Sequence, residues 1–265
     1  MRPDLVELWR KFVPEKAPFF HPDDREVLDN NGCLPNETEP IDHESYLAST
    51  RFGEPNDTRF HLSLLPVPYV GDVVNAEITV LLLNPGFQHS EYWAETAVPA
   101  FRDRLLRNIR QDFLPGESPF FCLDPQFCWY SGFHWWEKKL RSVIRLIAQE
   151  KFEGSYREAM KDLSHRLACI ELIPYHSSSF GDHKLIGHLP SACLATKFVC
   201  DYLLRSHDKP SKTVVVTRQV KAWSLDKFKN DPNLIIYERG HTLGASLGPK
   251  SLGGKAILRR YGIEQ

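Results

Sequence analysis

Ile78-Thr79-Val80-Leu81-Leu82-Leu83-Asn84-Pro85-Gly86 sets six aliphatic or β-branched residues against a sharp turn. A continuous apolar run of this length, with no alternation, reads as a strand buried on both faces, the signature of a parallel sheet. Three later runs repeat it: Cys169–Ile173, ended by Pro174; Thr213–Thr217; and Asn233–Tyr237. Between them lie helical patterns. Pro99–Phe113 places apolar residues at 101, 105, 106, 109 and 113, and Trp135–Lys151 turns Leu140, Val143, Ile144 and Ile147 to one side. Pro190–Arg205 starts with a favoured first-turn proline, Arg218–Phe228 reads as a helix, and a Gly-rich loop, 240–254, leads into a short basic helix. Strands alternating with helices predict an α/β fold, a three-layer sandwich with a central four-stranded parallel sheet. Met1–Val13 reads as one short helix. Residues 14–60 are rich in Pro, Asp, Asn and Glu and read as loop and turns. The expected division is therefore an N-terminal extension over 1–74, packed on an α/β domain over 75–265.

Composition excludes several classes. The chain has 265 residues, 42% of them hydrophobic and 25% charged, which is ordinary globular usage. Its apolar runs are too short to span a bilayer, and the opening Met1-Arg2-Pro3-Asp4-Leu5 lacks the apolar core of a signal peptide. The six cysteines include no Cys-x-x-Cys, so neither a metal or iron–sulfur cluster nor a disulfide framework is expected. A reduced, cytoplasmic protein is the expectation, with no cofactor. The net charge of −1 hides a gradient: residues 1–60 carry a net −6, and residues 197–260 hold thirteen basic and five acidic side chains. A basic C-terminal third fits a polyanion-binding face.

Ligands of such sheets bind outside the carboxyl ends of the strands. Three loops therefore matter: Asn84-Pro85-Gly86-Phe87 after the first strand, Pro174–Ser179 after the second, and 238–254 after the fourth. Gly86 permits a sharp turn and close approach, and Asn84 projects a short amide able to hold water or a carbonyl. Glu171, a carboxylate inside a buried strand, wants a partner. In the third loop, His241 and the helix start beside Lys250 offer donors to phosphate.

Taken together, Asn84-Pro85-Gly86 at the end of the first strand and His241 about 155 residues later resemble the two motifs of the mismatch-specific branch of the uracil-DNA glycosylase superfamily. The resemblance covers residues 75–262 and departs at the second motif, where His241-Thr242-Leu243 replaces His-Pro-Ser. It implies a DNA glycosylase that hydrolyses the N-glycosidic bond of a flipped-out base. Asn84 would position the attacking water and His241 would stabilise the departing base. Pro85, Gly86 and Phe87 would line the base, the latter two offering backbone N–H groups. Phe121, or the Tyr92-Trp93 pair, would stack on it, and Glu171 would read its pairing edge. Leu243 or Leu247 would fill the hole in the stack, with Ser246 and Lys250 on the DNA. An ionised Glu171 accepts hydrogen bonds only, so a modified cytosine or adenine-like base is the expected target. Two other readings stay open: a nucleic-acid-binding relative without chemistry, and a small-molecule hydrolase using Ser177 or Ser178 with His176 or His241. Against the second, no Gly-x-Ser-x-Gly elbow is present.

Overall fold

The structure is a computed structural model that describes residues 3–36, 39–54, 56–205, 212–217, 219–237 and 246–264. His241 and Leu243 lie outside the described residues. Five strands are present: β1 (Tyr69–Val70), β2 (Ile78–Leu82), β3 (Leu167–Glu171), β4 (Thr213–Val216) and β5 (Leu234–Ile236). The helices are α1 (Asp4–Arg10), α2 (Arg25–Asn30), α3 (His43–Ala48), α4 (Ser90–Ala97), α5 (Pro99–Arg110), α6 (Ser131–Lys151), α7 (Tyr156–Arg166), α8 (Pro190–Lys197) and α9 (Leu252–Arg260).

The protein is mixed α/β, with a mostly parallel sheet in the order β1-β3-β2-β4-β5. Ile78 lies opposite Thr213 in the parallel β2–β4 pair, and Val214 opposite Leu234 in β4–β5. The sheet has five strands where the sequence predicts four. The extra one, β1, is two residues long and carries no periodicity to read. All residues of β3 and β4 are buried, as unbroken apolar runs require.

By internal contacts the chain divides into two compact units. The first comprises Met1–Tyr69, Leu83–Asp112 and Glu171–Phe198; the second comprises Val70–Leu82, Phe113–Ile170 and Val199–Gln265. Residues 1–69 thus share a unit with the segments that follow β2 and β3. Asp24 ties this unit together. Its buried carboxylate accepts from the Tyr175 hydroxyl at 2.6 Å and from the Ser191 N–H and hydroxyl at 2.9 and 2.6 Å. One side chain from the N-terminal segment therefore satisfies the first turn of α8 and fixes the segment after β3.

In the second unit, α6 packs against α7 and α9 through Leu140, Val143, Ile144 and Ile147, all fully buried. The stretch 218–228, predicted as a helix, instead holds two short 3₁₀ turns, Val220–Trp223 and Asp226–Phe228. Gln219 and Ser224 flank the first turn with φ of 56° and 53°, a left-handed conformation that interrupts helix propagation. Among the described residues, no helix is long and apolar enough to cross a membrane, and no group of three or more His, Cys, Asp or Glu is placed to hold a metal ion.

Candidate functional site

The first unit brings the segments after β2 and β3 side by side, with the Ile173 N–H donating to the Leu83 carbonyl at 2.8 Å. Asn84 is half-buried. Its Nδ2 donates to Ser177 Oγ at 2.9 Å, to the Pro85 carbonyl at 3.0 Å and to the Tyr175 carbonyl at 3.3 Å. With the nitrogen end committed, the acceptor Oδ1 has no protein partner among the described residues. The next two backbone donors, the N–H groups of Gly86 and Phe87, also have no acceptor among the described residues. Gly86 is exposed, and a Cβ there would meet nothing within 4 Å. Its φ is not positive, so the backbone does not demand glycine; the missing side chain leaves room beside the two donors.

Two buried histidines back this loop. His176 Nδ1 meets the Gly86 carbonyl at 2.8 Å, and burial pushes the imidazole down to about 4. The His61 ring stacks on Phe87, with centroids 3.7 Å apart and planes 11° from parallel. His61 Nε2 faces the Arg51 guanidinium at 3.1 Å and its Nδ1 faces the Tyr92 hydroxyl at 3.2 Å. Burial, reinforced by the Arg51 charge, pushes His61 down to about 2. Arg51 is itself buried between two carboxylates, Asp57 at 2.7 Å and Glu39 at 2.6 Å. Phe87, Tyr46, Tyr92 and Leu64 form one buried cluster.

Glu171 lies two residues before Ile173, with its N–H on the Pro68 carbonyl. Its side chain is buried and Oε2 has no hydrogen-bond partner. Desolvation alone pushes the carboxyl up to about 8. The carboxylate expected from the sequence is therefore a neutral carboxylic acid at neutral pH, both a donor and an acceptor.

The other sequence candidates lie in the second unit. Phe121 is buried, tilted against Tyr130 and edge-on to Phe127, which leaves no open ring face. Leu247 is also buried and is not a wedge. Ser246 is exposed; its Oγ accepts from the Gly248 N–H, and its carbonyl accepts from the Tyr237 hydroxyl. Lys250 is exposed and adjoins Ser251, the N-cap of α9. Tyr92 is buried and engaged with His61, while Trp93 is exposed.

Sequence reasoning missed Tyr46, His61 and the role of His176 behind the loop. His61 and Tyr46 lie 26 and 41 residues before Phe87 in a stretch read as turns, so no local period links them to it. The one available signal was the density of His and aromatic side chains in that stretch. The chain matches no protein-family model, no curated protein and no solved structure.

Proposed function

We propose that this protein is a DNA glycosylase that hydrolyses the N-glycosidic bond of a base rotated out of the stack. The carrying observation is the Asn84 loop: an amide held by Ser177 and Tyr175 with its acceptor oxygen unclaimed, followed by two unclaimed N–H donors beside an open glycine. In this reading Asn84 Oδ1 accepts from the attacking water and orients it. The Gly86 and Phe87 N–H groups bind an oxygen of the base, where preorganised donors stabilise developing negative charge. The basic residues of 197–260, Lys250 among them, supply contacts to phosphate.

Neutral Glu171 changes the expected target. A carboxylic acid can donate to a carbonyl and accept from the adjacent ring N–H, so it complements the –CO–NH– edge of uracil, thymine or hypoxanthine. This reading replaces the cytosine- or adenine-like base that an ionised Glu171 would select.

The serine-hydrolase reading is disfavoured by the same geometry. Ser177 Oγ meets Asn84, and the His176 Nδ1 meets Gly86, so neither makes the nucleophile–base pair that activates a serine. A strand-scission assay on oligonucleotides carrying single uracil, thymine-mismatch, hypoxanthine or modified cytosine tests the proposal. Alkali-labile sites at a –CO–NH– base are the expected result. Release of modified cytosine alone would overturn the Glu171 assignment, and release of no base would overturn the function.

A further inference from the structure

His89 is an exposed imidazole whose position is fixed from behind. Tyr46, a fully buried residue, places its hydroxyl 2.5 Å from His89 Nδ1. The His89 ring stacks on Tyr46 at 5.8 Å, lies tilted on Phe52 at 5.1 Å and meets Phe87 edge-on at 6.1 Å. Three rings and a hydrogen bond thus immobilise a side chain that solvent would otherwise leave to rotate, and ordering an exposed side chain costs entropy that packing must offset.

The tautomer follows from counting donors. Burial raises the Tyr46 hydroxyl above the usual phenol range, so it keeps its proton. Among the described residues His89 Nδ1 is the hydroxyl's one partner, and a buried O–H left without an acceptor is costly. Tyr46 therefore donates, Nδ1 accepts, and the neutral imidazole carries its proton on Nε2. The result is a preoriented, uncharged N–H donor five residues beyond Asn84, in the loop that also carries the free Gly86 and Phe87 N–H groups.

We propose that His89 Nε2–H donates a hydrogen bond to the departing base and is a catalytic residue, with Tyr46 as its positioning residue. The inference rests on the glycosylase reading above. In the step, the bond from the sugar carbon to the base nitrogen breaks and its electron pair leaves with the base. The water oxygen bonds to the sugar carbon, and the water proton passes to the base or to solvent. His89 keeps its proton throughout and stabilises the charge developing on the base.

The test is single-turnover release of uracil and of 5-fluorouracil from otherwise identical oligonucleotides. Fluorine makes the base a better leaving anion, which needs less help from a donor. His89→Ala is expected to slow uracil release about 100-fold, the scale of one lost charge-stabilising donor, and 5-fluorouracil release clearly less. His89→Gln, which keeps an N–H, should restore part of the loss. Tyr46→Phe should reproduce the leaving-group dependence in weaker form. Nitrogen NMR of the free protein should show Nδ1 bare and Nε2 protonated at His89.

Equal slowing of both substrates, or an Nδ1-protonated tautomer, would overturn the inference while Asn84-dependent cleavage kept the glycosylase reading intact. Absence of any cleavage by the wild type would overturn both.

Discussion

At the residue scale the account turns on one amide. Asn84 is useful only while Nδ2 is anchored, because an amide free to flip would present its donor end to the water as often as its acceptor end. Ser177→Ala removes the shortest of the three anchors. A net hydrogen bond is worth about 1 kcal/mol, so stability should fall by roughly that amount. Activity should fall about tenfold if Ser177 only orients the amide, and single-turnover rates with urea unfolding separate the two effects. Loss of all activity with unchanged stability would instead make Ser177 a participant in the chemistry. Asn84 was legible because a buried strand ending in Asn-Pro-Gly advertises its own terminus. Ser177 and Tyr175, its anchors, lie about 90 residues away and reach it through strand pairing, which no local pattern encodes.

At the scale of elements, the segment after β3 is held by Asp24 rather than by its own propensities. Asp24→Ala would strand the Tyr175 hydroxyl and leave the Ser191 N–H of α8 unsatisfied. A loss of about 3 kcal/mol follows, as for other buried charged hydrogen-bond networks, read as a lowered urea midpoint. Because the Tyr175 carbonyl also anchors Asn84, catalysis should weaken in the same variant. Tyr175→Phe should cost about 1 kcal/mol, and a larger loss there than in Asp24→Ala would contradict this ordering.

Elements with strong periods were readable. Pro99 opens α5 and its apolar face continues to Ile109, and the structure ends the helix at Arg110, where Gln111 turns left-handed at φ 54°. The short helices α2 and α3 were not readable. Each spans six residues, and α3 depends on a reciprocal Asp42–Ser45 cap rather than on a stripe of apolar residues. α7 was also missed: its buried residues, Ala159, Met160, Leu163 and Ser164, make too weak an apolar stripe.

For the whole molecule, buried titratable groups shape the dependence of stability on pH. His61 and His176, pushed down to about 2 and 4, contribute stability that is present above pH 6.5 and lost as pH falls below it. Glu171 and Glu95, both pushed up to about 8 by burial, act oppositely: their contribution is present below pH 4.5 and lost as pH rises towards 8. Between 4.5 and 6.5 two histidines oppose two carboxyls, and the four groups nearly cancel. Above 6.5 the carboxyls act alone, and at about 1.4 kcal/mol per pH unit for each group stability should fall by about 2 kcal/mol per carboxyl up to pH 8. Urea unfolding across this range checks it, and Glu171→Gln should remove about half of the decline. An undiminished decline in that variant would show that Glu171 is ionised in the folded protein.

The sequence division at residue 74 rests on where periodicity begins, whereas the compact units are interleaved: residues 1–69 join the segments after β2 and β3. Composition cannot reveal that arrangement, because the Pro- and Asp-rich stretch is held by specific buried bonds such as Arg51 to Asp57 and Glu39.

The central claim is that Asn84 directs water at a glycosidic bond. Its most direct test is alkali-revealed strand scission of uracil-containing DNA by the wild type and by Asn84→Ala, with folding of the variant checked by thermal melting. The account predicts abasic sites with the wild type and a loss of at least about 100-fold in the folded variant, on the scale of a lost catalytic group. Cleavage that survives intact in Asn84→Ala would contradict it.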